Sequence, residues 1–119
     1  MRSLRVLVVD DDEDMREVLA EMLILEGHLV STASDGPQGV ARAVAINPDV
    51  VLIDQSLPGF DGDEVARRVR LRLGNAVRLI ALSGSCDAAG PFFDAQLVKP
   101  ASLGEIAAVL HAVPERISA

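Results

Sequence analysis

Four strand-like runs of this 119-residue sequence each end in a reactive polar residue. Arg5 to Val9 runs into Asp10-Asp11-Asp12, and Val50 to Ile53 into Asp54. Val77 to Leu82 is followed by Ser83, and Gln96-Leu97-Val98 by Lys99. If these runs are parallel strands of one sheet, their carboxyl ends share an edge, where ligands and chemistry collect in open α/β sheets. Carboxylates crowded there repel. At about 4 Å and an effective dielectric of 20, each like-charge pair costs on the order of 4 kcal/mol. Lys99 offers one compensating charge and a divalent cation could offer more. Mg2+ suits the site because it prefers oxygen ligands and is commonly held by one or two carboxylates plus phosphate. A carboxylate, a metal, a hydroxyl and an ammonium are the parts needed to accept a phosphoryl group. The carboxylate attacks and the cations neutralise the phosphoryl oxygens.

The elements that must position these groups follow from the pattern between them. Val50-Val51-Leu52-Ile53 is a continuous apolar run bounded by turn formers, Pro58 and Gly59 among them, and it predicts a central strand buried on both faces. After the first strand, Met15, Val18, Leu19, Met22 and Leu23 recur at helical spacing, and Gly27 can stop that helix. Asp11, with Asp14 three positions on, can cap its start. Leu29 to Ala33 reads as a second strand. Asp35-Gly36-Pro37-Gln38 then starts a helix whose expected buried stripe is Val40, Ala41, Val44 and Ala45. Asp61-Gly62-Asp63-Glu64 caps a third helix. Its Val65, Val69 and Leu73 should face the core, while Arg67, Arg68, Arg70 and Arg72 lie mainly on the wet side. Ser102-Leu103-Gly104-Glu105 is a capping box opening the last helix, which carries Ile106, Leu110 and Val113 and closes at Pro114. Strands alternating with helices predict an α/β fold: a doubly wound, mostly parallel sheet with helices on both faces.

Composition narrows the class further. Half the residues are hydrophobic, which suits one compact domain over residues 1–119. Aromatics are 3% of the chain, so Val, Leu, Ile and Ala must build the core. The formal net charge of −7 gives no general electrostatic reason to bind nucleic acid or anionic lipid. No apolar run reaches the length of a membrane span. Cys86 is the single cysteine, so no internal disulfide forms, and it reads as an inert small side chain. With no signal-peptide layout at the start, the expected location is cytoplasmic. His28 and His111 have no second ligand at metal spacing and read as surface or boundary residues.

Four motifs, in order, carry a family resemblance. They are Val8-Val9-Asp10-Asp11, then Asp54 followed by Leu57-Pro58-Gly59-Phe60-Asp61-Gly62, then Ala81-Leu82-Ser83-Gly84, then Leu97-Val98-Lys99-Pro100. With the five-fold strand–helix alternation, the chain resembles the CheY-like receiver domain of two-component response regulators over essentially its whole length. The stretch from Val51 to Arg70 resembles receivers of hybrid histidine kinases. The resemblance implies a flavodoxin-like strand order 2-1-3-4-5. It also implies that Asp54 is the phosphoacceptor, taking phosphoryl from a phosphohistidine on a histidine kinase or histidine phosphotransfer protein. Asp11 would ligate Mg2+ directly, and Asp10 directly or through water. The Ser56 main-chain carbonyl matches the remaining protein ligand. Lys99 would pair with Asp54 and then with the phosphoryl oxygens, and the Ser83 hydroxyl would move to the phosphoryl group. The Lys99-Pro100 bond is cis in many such domains. Asp12 would cap the helix or tune the field.

Two departures from the pattern stand out. The family's aromatic switch residue, three positions before the lysine, is here Gln96. The stretch between Ser83 and Lys99 is short and broken by Gly90-Pro91, so the helix expected there should be missing or reduced to about one turn. Phe92 and Phe93 would fill the gap against the sheet or leave an apolar patch. These departures motivate an alternative: a degenerate receiver acting as a phosphorylation-independent interaction module. A haloacid-dehalogenase-type aspartyl phosphatase is disfavoured, because no Thr closely follows the first-strand aspartates and no cap domain fits. A dinucleotide-binding fold lacks its Gly-x-Gly-x-x-Gly after the first strand.

Overall fold

In the computed structural model, residues 3–84 and 89–112 are described. Cys86, Val113, Pro114 and the side chain of His111 lie outside them, and so do the expectations placed there. Five strands form one parallel sheet in the order β2-β1-β3-β4-β5: β1 Arg5–Val9, β2 Leu29–Ala33, β3 Val50–Asp54, β4 Arg78–Ser83 and β5 Ala95–Val98. The helices are α1 Glu13–Leu25, α2 Gly36–Ile46, α3 Gly62–Leu73 and α4 Leu103–His111. Among the described residues no helix joins β4 to β5, as the short connection predicts.

Alternation along the strands splits the core in two. Val6, Val8, Leu52, Ile80 and Leu82 pack with Leu19 and Leu23 of α1 and with Ile106 and Leu110 of α4. Leu7, Val9, Val51, Ile53 and Leu79 pack with Ala43 of α2 and with Val65 and Val69 of α3. Val50 to Ile53 are all fully buried. Each such side chain contributes roughly 1.5–3 kcal/mol, so β3 anchors the sheet between two helical layers. Phe92 and Phe93 pack on the second cluster, which holds Val65 and Val69 of α3.

The helix starts are held by side-chain caps. Asp12 accepts from Met15 N–H, Asp35 from Gln38 N–H and Asp61 from Glu64 N–H. Asp12, not Asp11, therefore caps α1, which leaves Asp11 free for the sheet edge. Ser102 and Glu105 make the expected reciprocal capping box at α4.

Four expectations need correction. On α2, Ala41, Val44 and Ala45 face solvent, and the buried face is built on Gly36, Gly39 and Ala43. A Cβ at Gly39 would lie 3.0 Å from Val9 Cγ1, so the bare backbone lets α2 sit close to β1. Val18 on α1 is 52% exposed. His28 is buried, because its Nδ1 accepts the Leu4 N–H at 3.1 Å and ties β2 to the start of β1. Arg70 is not on the solvated face, because its side chain is largely buried against Asp94.

Candidate active site

β1 and β3 lie side by side at the sheet centre, with Val9 opposite Ile53. One step further, both strands end in a carboxylate, so Asp10 and Asp54 meet at the same edge. Both are buried and Asp11 is exposed. Asp10, Asp11 and Asp54 each present one oxygen, all within 4.8 Å of one another. Three hard oxygen donors at that spacing can hold a divalent cation.

The fifth strand delivers the counter-charge. Lys99 N–H donates to the Ser83 carbonyl at 2.7 Å, continuing the β4–β5 ladder by one step. The Lys99 side chain reaches back across the edge, with Nζ 3.1 Å from Asp10 Oδ2 and 3.2 Å from Asp54 Oδ2. Burial opposes the charge on Lys99, but the Asp10 hydrogen bond and the charges of Asp10 and Asp54 outweigh it, and its pKa is raised. The Lys99–Pro100 peptide is cis.

Main-chain donors orient the acids. Asp54 Oδ1 accepts from Ser56 N–H at 3.0 Å, and Asp10 Oδ1 accepts from Asp12 N–H at 3.0 Å. Arg16 Nη1 donates to the Asp10 carbonyl at 2.8 Å. Ser83 is buried at the end of β4, one residue beyond Leu82, which pairs with Asp54. Gln96 occupies the position expected to be aromatic. Its Oε1 accepts the Ala89 N–H at 2.9 Å, so the side chain is engaged with the β4–β5 connection.

Asp10 carries a cost that can be measured. Burial raises its pKa, against the lowering effect of the Asp12 N–H and Lys99. A carboxylate whose folded pKa is raised weakens the fold above that pKa, and the penalty fades as pH falls through it toward the ordinary 3.8. In divalent-free buffer the contribution of this group should therefore become less unfavourable as pH is lowered from 7, and Asp10→Asn should remove that pH dependence. Urea unfolding at several pH values checks this.

Gly62 is the site residue whose role sequence reading missed, being noted only as part of a cap and of the motif after Asp54. A Cβ there would sit 2.6 Å from the Asp54 carbonyl oxygen and 2.7 Å from Gln55 Cα. Both neighbours are backbone, so α3 can pack under the acceptor turn only with glycine at its first position. Gly62→Ala is expected to cost about 1–3 kcal/mol in urea unfolding, by displacing that turn.

A parallel 2-1-3-4-5 sheet with three aspartates and a lysine at its carboxyl edge defines a CheY-like phosphoacceptor class. A model of the response regulator receiver domain matches residues 6–110. The transcriptional regulatory protein TcrA of Mycobacterium tuberculosis is 36% identical over 126 residues, covering 96% of this chain and 47% of TcrA. ResD of Bacillus subtilis is 30% identical over 118 residues, covering 96% of this chain and 49% of ResD. This chain thus spans about half the length of these relatives. Among solved structures, the response regulator TrrA of Thermotoga maritima, in complex with Mg2+ and BeF, superposes with a TM-score of 0.85 at 30% identity. That match covers 92% of this chain and 98% of TrrA. The receiver domain of the sensor histidine kinase PA1611 of Pseudomonas aeruginosa has magnesium coordinated in its active-site cleft. It gives a TM-score of 0.82 at 27% identity, covering 94% of this chain and 98% of that domain. The chain belongs to the response regulator receiver domain family, and its Asp10, Asp11 and Asp54 cluster is positioned like the phosphorylation site of such domains. Among the described residues, no helix is long and apolar enough to cross a membrane.

Proposed function

We propose that residues 1–119 act as one receiver unit that takes a phosphoryl group from a phosphohistidine onto Asp54. The donor would be a histidine kinase or a histidine phosphotransfer protein. The observation that carries this reading is the meeting of Lys99 Nζ with Asp10 and Asp54, beside a third carboxylate. Mg2+ fits the donor set: it would be held by Asp10, Asp11, Asp54 and the Ser56 main-chain carbonyl, with water completing the shell. When bound, it supplies positive charge for the phosphoryl oxygens.

The remaining chemistry belongs to the chain. Asp54 Oδ2, the oxygen beside Lys99 Nζ, attacks phosphorus in line as the phosphorus–nitrogen bond to the donor imidazole breaks. Ser56 N–H holds the other oxygen and so fixes the direction of attack. Lys99 is held protonated by its two acids and offers its charge to the transferred group, and the Ser83 hydroxyl donates to a phosphoryl oxygen. The domain catalyses its own phosphorylation and dephosphorylation and has no separate substrate to turn over.

Incubation with acetyl phosphate and Mg2+ tests the reading. Intact-protein mass should rise by one phosphoryl group, and EDTA should prevent it. A second reading, an interaction module that works without phosphorylation, draws on Gln96 and on the short β4–β5 connection. It gains if no phosphoryl is taken up and millimolar Mg2+ leaves the melting temperature unchanged. If instead Mg2+ at ten times its Kd is present, linkage predicts a gain of about 1.4 kcal/mol.

A further inference from the structure

The Arg70 side chain joins three elements. Its Nη1 donates to the Gly74 carbonyl at 2.9 Å and to the Val77 carbonyl at 2.7 Å. Its Nη2 donates to the Phe92 carbonyl at 3.1 Å and to Asp94 Oδ2 at 2.8 Å. The side chain is only 16% exposed. A planar guanidinium fork suits such a multiple grip, where a lysine could make only part of it. Asp94 is equally committed. Its Oδ2 accepts the Leu79 N–H at 2.8 Å, and its own N–H donates to the Leu79 carbonyl at 2.7 Å.

These contacts fall at the start of β5, five residues before Lys99. β5 is a four-residue edge strand whose only partner in the sheet is β4. Its ladder is short, from Ile80 opposite Ala95 to Ser83 opposite Val98. A slip of one residue would move Lys99 by about 3.3 Å and turn its side chain to the other face. Ion pairs of 3.1 and 3.2 Å would not survive that. No helix among the described residues follows β4 to brace this strand. The Arg70–Asp94 pair braces it instead, by fixing Asp94 against Leu79 from α3.

We propose that the Arg70–Asp94 clamp is a register lock for β5, and that Arg70 is a positioning residue for phosphoryl acceptance through Lys99. The inference rests on the role given to Lys99 above. The test is the rate of phosphoryl uptake from acetyl phosphate, measured below the melting temperature of every variant. Arg70→Ala and Asp94→Ala should each slow uptake about tenfold, since small displacements of a reacting constellation cost that much or more. Mg2+ should still bind, at a half-saturation no higher than that of the wild type, because none of its proposed ligands is on β5 and a displaced Lys99 no longer competes for Asp10 and Asp54. Arg70→Lys should recover part of the rate. Arg70→Ala combined with Lys99→Ala should be no slower than Lys99→Ala alone, the signature of two changes acting through one group. If Arg70→Ala does not fold, Arg70→Met, which keeps an unbranched side chain but donates no hydrogen bond, carries the same comparison. A wild-type rate in either clamp variant, with only the melting temperature lowered, reduces the clamp to a structural brace and overturns the proposal. So do multiplied losses in the double variant. A wild-type rate in Lys99→Ala alone points to a different failure: it removes the role of Lys99, and the lock with it.

Discussion

Asp54→Asn leaves the fold in place and reduces phosphoryl uptake from acetyl phosphate to background. The two side chains are the same size, and the amide oxygen can still accept the Ser56 N–H that Asp54 Oδ1 accepts. What disappears is the nucleophile, because an amide oxygen carries no full charge and its nitrogen is a poor attacking group. Stability should change by no more than about 1 kcal/mol. The variant loses the Asp54–Lys99 attraction but also the repulsion between Asp54 and Asp10. Circular dichroism and intact-protein mass check the two halves of this expectation. Uptake at the normal rate by a folded Asp54→Asn protein would place the acceptor elsewhere.

Lys99→Ala is expected to damage both the fold and the chemistry. Asp10 is fully buried and Asp54 nearly so, and Lys99 is their shared cation. Removing one partner of a buried ion pair costs about 3–5 kcal/mol. The lysine is 23% exposed, so water can enter behind it, and we expect the lower end, about 3 kcal/mol. Uptake should fall by about 10²–10³, the usual loss when one preorganised donor to a developing charge is removed. The pH dependence has a definite sign. Because the folded pKa of Lys99 is raised above 10.5, its contribution is fully present below that value and is lost as pH rises through the folded pKa. The gap between wild type and Lys99→Ala should therefore be constant through neutral pH and close only in strong alkali. Urea unfolding at several pH values reads it directly.

How much of this was visible in the sequence depends on the range of each interaction. The strands were legible because β1 and β3 are unbroken apolar runs, and their ends announced Asp10, Asp11 and Asp54. Lys99 followed from the same rule at the end of β5. The face of α2 was misread because hydrophobic periodicity counts side chains, whereas this helix approaches β1 through the bare backbone of Gly39 and Phe60, in the loop after β3, through that of Gly36. The presence of both glycines within four positions was the available signal. Arg70 was misread for a different reason. Its neighbours Arg67 and Arg68 are surface residues that grip Glu64, whose carboxyl they hold at about 2. Arg70 is indistinguishable from them locally, and its partners Phe92 and Asp94 lie 22 and 24 positions away. His28 likewise needed the Leu4 main chain, 24 positions back, to explain its burial. Gly62 was noted as a helix starter, but only the fold reveals that it also clears space for the Asp54 turn.

Position-specific trapping of the acyl phosphate tests the central claim most directly. Protein treated with acetyl phosphate and Mg2+ is reduced with borohydride, which converts an aspartyl phosphate to homoserine, and the peptides are mapped by mass. The account predicts homoserine at position 54, and none when EDTA is present. Homoserine at position 10, 11 or 12, or stable phosphate on Ser83, would contradict it.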